Sequence, residues 1–399
     1  MPVNSHYVPQ FILKLYGRQI TCYNWKTGEL KERRNPKKVF SEMGFYPDDL
    51  EKEMNEKCEV RFSPTLRKLL SAKNEIRLTR KSVWEIKRFL LVTMLRSKGM
   101  LDRIAHERKV TREELTAHPM QVVRELGWRI NEVEREESDY DYWVRSIRGV
   151  LEEPTGSSLR LEDNDNATSS AILWSRTFAA GYLAFWDAPA GESFFIGDSG
   201  VYPEPELKEM VLGKPSMKLD MLNRMLESTD DKDSERIIAL NKIIRFNMYF
   251  WDNFLLFPVS SKRIIVLVNP FFKCIHEDLS RILYDHESVP DTGKVRADIF
   301  ELMVGRITNL CRSELTMPNT NEYRGIGYTE YDKFVYTPKV LLPEELHYIN
   351  VLIMSQTQEW LGFSKEEEIL PSLKFCRERV GAFVEEDPYL KLFELLDKR

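Results

Sequence analysis

The chain has 399 residues, 42% hydrophobic and 30% charged, with a formal net charge of −5. That composition supports a sizeable core and excludes a disordered or collagen-like chain. No apolar run approaches the roughly 18 residues of a membrane span, the start lacks the basic-then-apolar pattern of an export signal, and the five scattered cysteines contain no Cys-x-x-Cys pair, so a reducing cytoplasm is the expected setting.

In chain order, residues 18–33 read as a hairpin that turns at Lys26-Thr27-Gly28. Pro36 and Pro47 break the chain before the charged segment Asp48 to Glu59. Ser63-Pro64 fits a helix start, with the serine as cap and the proline in the first turn. Thr79 opens a stronger helix, because Val83, Ile86, Leu90, Leu91 and Met94 recur at helical spacing. Arg96 and Lys98 near its end suit the helix dipole, and Gly99 is placed to stop it. Thr111-Arg112-Glu113-Glu114 resembles a capping box ahead of a helix over about 120–136. Residues 151–170 read as a surface loop. Its Asp163-Asn164-Asp165-Asn166 run lacks the glycine and the bidentate glutamate of a calcium loop.

Two aromatic and β-branched hairpins follow. The first joins Tyr182–Trp186 to Ser193–Asp198, and the second joins Asn253–Val259 to Arg263–Asn269. A polar connection between them holds a helix over about 234–248. A last well-marked helix runs from Pro343 to about Trp360. Hairpins flanked by runs of helices give the α+β class: antiparallel β-hairpins forming a central sheet packed with several α-helices. One large domain over 1–399 is expected, basic in 1–150 and acidic in 171–399.

Charge is uneven along the chain. Residues 61–112 carry fifteen basic and four acidic side chains, a local field suited to phosphate-bearing partners. The bland alternative is a solvated helix surface, or one docked on the acidic half of the same chain.

No nucleotide-binding glycine loop, Walker motif, zincin or nucleophile-elbow pattern is present. His276-Glu277-Asp278 with Asp285-His286 fits one helix face poorly as a metal set. Asp198 is better placed, because it ends the apolar strand Phe194-Phe195-Ile196. A carboxylate at a strand end is positioned for metal binding or base chemistry, and equally for an Asx-turn. His6 lies in an aromatic segment where its imidazole needs a partner, either as an acid/base group or as a structural histidine. Gln10 is four residues on, with Pro9 between them interrupting any regular helix. Asn350 falls on the apolar face of the Pro343 helix, so it either binds backbone in the core or lines a pocket.

His6-Tyr7-Val8-Pro9-Gln10-Phe11 resembles the opening of a bacterial and fungal family, domain of unknown function 4238. Trp25-Lys26-Thr27-Gly28, Phe89 to Arg103, Phe194 to Val201, Phe257-Pro258-Val259-Ser260 and Tyr348-Ile349-Asn350 are similar to later segments of that family. The chain departs from it at Gly197, where a serine is usual, and at Gly200, where a proline is usual. The resemblance implies no settled activity.

Two functions from different classes follow. One is a phosphodiester-acting hydrolase, nuclease-like, in a bacterial defence or toxin setting. In it His6 and Asp198 form an acid/base pair, Asp198 ligates a possible divalent metal, and Gln10, Arg96, Arg103 and Asn350 hold the substrate. The other is a non-catalytic binding or regulatory protein that engages nucleic acid or a protein through its basic N-terminal half. No membrane partner is expected, and the oligomeric state is left open.

Overall fold

A computed structural model of the chain describes residues 4–109, 130, 132–152, 161, 164–203, 254–268, 312–313, 333–377 and 388–397. Strand β1 (Asn4–His6) leads into a short helix α1 (Gln10–Leu13), then β2 (Ile20–Asn24), β3 (Glu29–Arg34) and β4 (Ser41–Met43). Helix α2 (Asp48–Met54) passes through a π turn (Asn55–Glu59) directly into α3 (Val60–Ser71). Strand β5 (Ile76–Thr79) precedes α4 (Arg80–Leu95), α5 (Lys98–Lys109), α6 (Glu132–Glu136), α7 (Asp139–Leu151) and α8 (Ser169–Ala180). The strands β6 (Tyr182–Asp187), β7 (Ile196–Gly197), β8 (Tyr202–Pro203), β9 (Phe254–Ser260), β10 (Arg263–Val268), β11 (Arg312–Ser313), β12 (Lys333–Tyr336) and β13 (Lys339–Val340) follow. The described chain closes with α9 (Pro343–Gln356), β14 (Trp360–Phe363), α10 (Glu366–Phe375) and α11 (Pro388–Asp397).

The central sheet has the order β13-β6-β10-β9-β8 and is antiparallel except for the β13–β6 pair. Period-2 alternation sends Leu183, Phe185, Leu255, Phe257, Val259, Ile265 and Leu267 to one face, where they join one buried cluster with residues of α3, α4, α7 and α8. The alternate set Ala184, Trp186, Leu256, Ile264 and Val266 joins a second buried cluster with residues of α9, α10 and α11. Both faces are therefore buried, which is why these strands read as continuous apolar runs. Pro258 is tolerated in β9 because β8 pairs only at Leu255 and Leu256, so no ladder on that side needs its missing N–H. A second sheet, β3-β2-β14-β7, packs beside the first, and two smaller ladders join β1 to β4 and β11-β12-β5. The α+β reading holds.

The hairpin at 18–33 forms as expected, with Gly28 at φ 73 in its turn. The β9–β10 hairpin forms too. Thr79 caps α4 as expected, its side chain accepting from the Ser82 amide at 3.2 Å.

Other elements differ from the sequence reading. Tyr182–Trp186 and Ser193–Asp198 are not a hairpin: β6 pairs with β10 and β13, whereas β7 pairs with β14. Pro64 lies inside α3 rather than at its start, because the π turn carries α2 onward without a break. Gly99 sits in the first turn of α5, and α4 ends instead at Arg96. Helix α9 stops at Gln356, since Trp360–Phe363 is drawn in as the middle strand between β2 and β7. The helix Ser169–Ala180 occupies ground that no periodic pattern had claimed. The expected capping box at Thr111, most of the helix over 120–136, the helix over 234–248 and the His276 to His286 group lie outside the described residues. Among the described residues no helix is long and apolar enough to cross a membrane.

Candidate functional site

Strand β1 ends at His6, and Pro9, with φ −54 and ψ 132, turns the chain into α1. That turn folds Gln10 back on the histidine, with Gln10 Nε2 at 3.3 Å from His6 Nε2. The Gln10 amide and the ring nitrogen share a hydrogen bond whose donor is set by the ring tautomer. The imidazole is buried. Burial, and next the nearby Arg96 charge, hold it below its ordinary pKa; the carbonyls of Lys37 and Asn4 pull weakly the other way. His6 is therefore a neutral, packed ring.

Arg96, the residue that ends α4, is one of the largest fully buried side chains. A charge in such a place needs opposite charge and hydrogen bonds. It donates through Nη1 to Glu59 Oε1 at 2.6 Å and through Nη2 to the His6 carbonyl. Glu51 Oε1 lies 3.6 Å from Nη2, and the Tyr46 hydroxyl donates to the Arg96 carbonyl. Burial alone works against the guanidinium charge, but Glu59, Tyr46 and Glu51 outweigh it and raise the pKa. The π turn is what aims Glu59 at this spot, since it shifts the residues after Met54 around the helix axis. One arginine thus ties β1, α2, the π turn and α4 together.

Asp198 follows β7, and its own amide donates to the Trp360 carbonyl at 3.1 Å. Its carboxylate accepts three consecutive backbone N–H groups: Oδ1 takes Gln358 at 2.8 Å, and Oδ2 takes Glu359 at 2.8 Å and Trp360 at 3.0 Å. Burial pushes its pKa up while those three amides pull it down. The Ser199 hydroxyl donates to the Gln356 carbonyl at 2.7 Å on the same loop. Asn350, fully buried on α9, works the other end of the segment. It accepts from the Phe195 amide at 3.0 Å, and donates to the Ser193 carbonyl at 3.0 Å and the Ser372 hydroxyl at 3.1 Å. Together Asp198 and Asn350 fasten residues 193–199 to α9 and to the turn before β14.

The structure therefore brings His6, Gln10 and Arg96 into one cluster. Asp198 lies close enough to influence the neighbouring Tyr7 phenol, and Gly200 packs against Val8 and Thr93. A small apolar hollow lined by Val8, Pro9, Phe89, Thr93, Gly200 and Phe257 marks where the opening segment, α4, the Asp198 loop and β9 converge. Asn350 binds the Ser193–Phe195 end of the Asp198 segment, and Arg103 lies over the Trp174 ring at 5.0 Å. Of the expected acid/base pair, the His6 ring faces Gln10 and the Asp198 carboxylate accepts three backbone amides. Among the described residues no group of three histidine, cysteine or carboxylate side chains has metal-binding geometry. Arg96, expected to hold phosphate, instead holds Glu59 and the His6 carbonyl.

Sequence reasoning missed Glu51, Glu59 and the Gln358–Trp360 amides. A buried arginine on an apolar helix does imply a buried carboxylate, but a π turn leaves no periodic trace by which to find which one.

The basic segment divides in two. Lys87, Arg88, Arg96 and Arg108 are buried. Lys87 Nζ donates to the Ala179 carbonyl at 2.7 Å, Arg88 to the Leu151 carbonyl, and Arg108 to Asp139 Oδ1 at 2.6 Å and to the carbonyls of Glu134 and Glu137. These buried side chains are internal staples of the helical layer, and burial pushes the Lys87 ammonium pKa down to about 7. Arg61, Arg67, Lys68, Lys73, Arg77, Lys81 and Lys109 are exposed instead.

Residues 4–367 match the family described as protein of unknown function (DUF4238). The chain belongs to that family. The match takes in every segment that meets at the hollow, from the opening residues through α4 and the Asp198 loop to β9, and ends just inside α10. No curated protein and no solved structure matches this DUF4238 chain.

Proposed function

We propose that this DUF4238 chain binds nucleic acid without cutting it, through the face formed by α3, β5 and the first turn of α4. One observation carries the reading. From Val60 to Asn74 the chain has four cations and no acidic residue, and Arg61, Arg67, Lys68 and Lys73 are all exposed. On α3 the buried Phe62, Thr65, Leu66 and Leu69 fix the inner face, so Arg61, Arg67 and Lys68 fall on the opposite arc. Lys81 continues the patch onto α4. Burial pushes the Glu85 carboxyl up, and Lys81, Arg61 and Lys68 pull it back down, which supports these cations standing around one half-buried carboxylate. The patch keeps an excess of positive charge, and polyanion binding follows from such excess by counterion release.

Hydrolysis by His6 and Asp198, with Gln10, Arg96, Arg103 and Asn350 on the substrate, would need those side chains to leave the partners described above. No observation favours that.

The test is fluorescence anisotropy with labelled RNA and DNA between 50 and 200 mM salt. Four phosphate contacts give a log–log salt slope of about −3 to −4, or roughly 100-fold weaker binding across that range. The variant Arg61→Ala/Arg67→Ala/Lys68→Ala/Lys73→Ala should lose most of that slope. Binding unchanged in the variant, or no binding by the wild type, refutes the reading and leaves a protein partner for the patch. Incubation with Mg²⁺ or Mn²⁺ should leave the labelled strands intact. Cleavage that disappears in Asp198→Ala would return the hydrolase.

A further inference from the structure

Trp84 lies one turn into α4 beside the basic patch. It is half-buried and belongs to neither hydrophobic core cluster among the described residues. An indole carries the largest apolar surface of any side chain, and this one is used by neither of those clusters. Its surroundings are cationic. Arg80, one turn earlier, places its guanidinium 5.8 Å from the Trp84 ring centre and 5.0 Å from that of Phe334 on β12. At helical spacing Trp84 falls between Arg80 and Lys81 on the outer arc of the turn. Arg77 is exposed on β5 just ahead of it, where it pairs with Glu75 at 3.1 Å. The result is an aromatic face with an arginine plane against it, at the edge of a stripe of exposed cations.

We infer that the nucleic acid bound by this face is single-stranded, with a base stacking on the Arg80–Trp84 platform. This rests on the nucleic-acid reading above and sharpens it. Phosphates alone would attract duplex and single strand alike. A ring beside them discriminates, because in a duplex each base face is already covered by its neighbours, whereas an unpaired base offers its face to an aromatic ring or a guanidinium plane. Stacking of this kind tolerates any sequence, so the expected ligand is an unpaired strand of no strong sequence preference.

The experiment compares an unstructured labelled 20-mer with a hairpin duplex of equal phosphate number, in wild type, Trp84→Ala and Trp84→Phe. The single strand should bind at least 10-fold more tightly to wild type. Trp84→Ala should weaken that binding about 10-fold with an unchanged salt slope, and Trp84→Phe should keep most of it. Thermal unfolding of each variant checks that the fold survives, and Trp84→Phe decides the matter if the alanine variant is unstable: a phenyl ring that keeps the strand preference supports the platform. Equal affinity for strand and duplex, or equal losses on both in Trp84→Ala, overturns the platform and leaves binding by the cations standing. No binding of either probe by wild type overturns the nucleic-acid reading itself, and this inference with it.

Discussion

Asp198→Ala tests most directly whether this carboxylate is an anchor or a reactive group. The substitution removes the acceptor of three backbone N–H bonds, at 2.8, 2.8 and 3.0 Å, from Gln358, Glu359 and Trp360. Each stranded amide costs about 1–3 kcal/mol. The three donor residues are themselves only half-buried, so the low end applies, and the sum is about 3 kcal/mol. Asp198→Asn should fall between, at about 1–2 kcal/mol, because its amide oxygen can still serve the Glu359 and Trp360 amides while its NH₂ group faces only Gln358. Equilibrium urea unfolding measures both variants against wild type, with the transition slope checked for constancy. If Asp198→Ala unfolds within about 0.5 kcal/mol of wild type, the range of an ordinary surface change, the anchoring argument is wrong.

Glu59→Gln leaves the buried Arg96 charge without its closest carboxylate and should destabilise by about 3 kcal/mol. Adding Arg96→Met should recover part of that loss in a double-mutant cycle, and strict additivity would refute the pairing. Gly200→Pro should prevent stable folding, since Gly200 sits at φ 69, a backbone conformation closed to proline; soluble, cooperatively unfolding protein would count against the described loop. Burial holds both His6 and His347 below their ordinary pKa. Below about pH 6.5 the unfolded chain therefore takes up protons that the folded chain does not. Their contribution to stability is complete above that pH and is lost as pH falls toward the folded values. Urea unfolding at pH 7.5 and 5.5 should show a smaller acid loss in His6→Gln than in wild type, and an equal or larger loss would refute the assignment.

Much of the molecule follows from local pattern alone. The β-branched run in Arg263–Val268, the turn at Gly28 and the cap at Thr79 each arise from a few neighbouring residues, and all three form as read. So does the α+β class, because strand and helix periods differ and the sequence contains both. The opening segment His6 to Phe11 is also visible as a landmark, and the structure places it where α4, the Asp198 loop and β9 meet.

Tertiary structure decided the rest, because the deciding partners lie far apart in sequence. Residues 193–199 carry enough apolar character to pair with β6, but the Asn350 side chain binds the Ser193 carbonyl and the Phe195 amide, and Asp198 binds the amides of residues 358–360, all across more than 150 residues. Trp360 continues the periodicity of α9, yet β2 and β7 claim it as a strand by supplying ladder partners on both sides. The fifteen cations of 61–112 read as one field, and only packing separates them. Among the described residues, Lys87, Arg88, Arg96 and Arg108 turn inward, where a low-dielectric interior makes each donate to carbonyls or carboxylates, while those on α3 face outward because Phe62, Leu66 and Leu69 hold the inner face. Sequence determined that the segment is positive; the fold decided which of its charges are available to a partner.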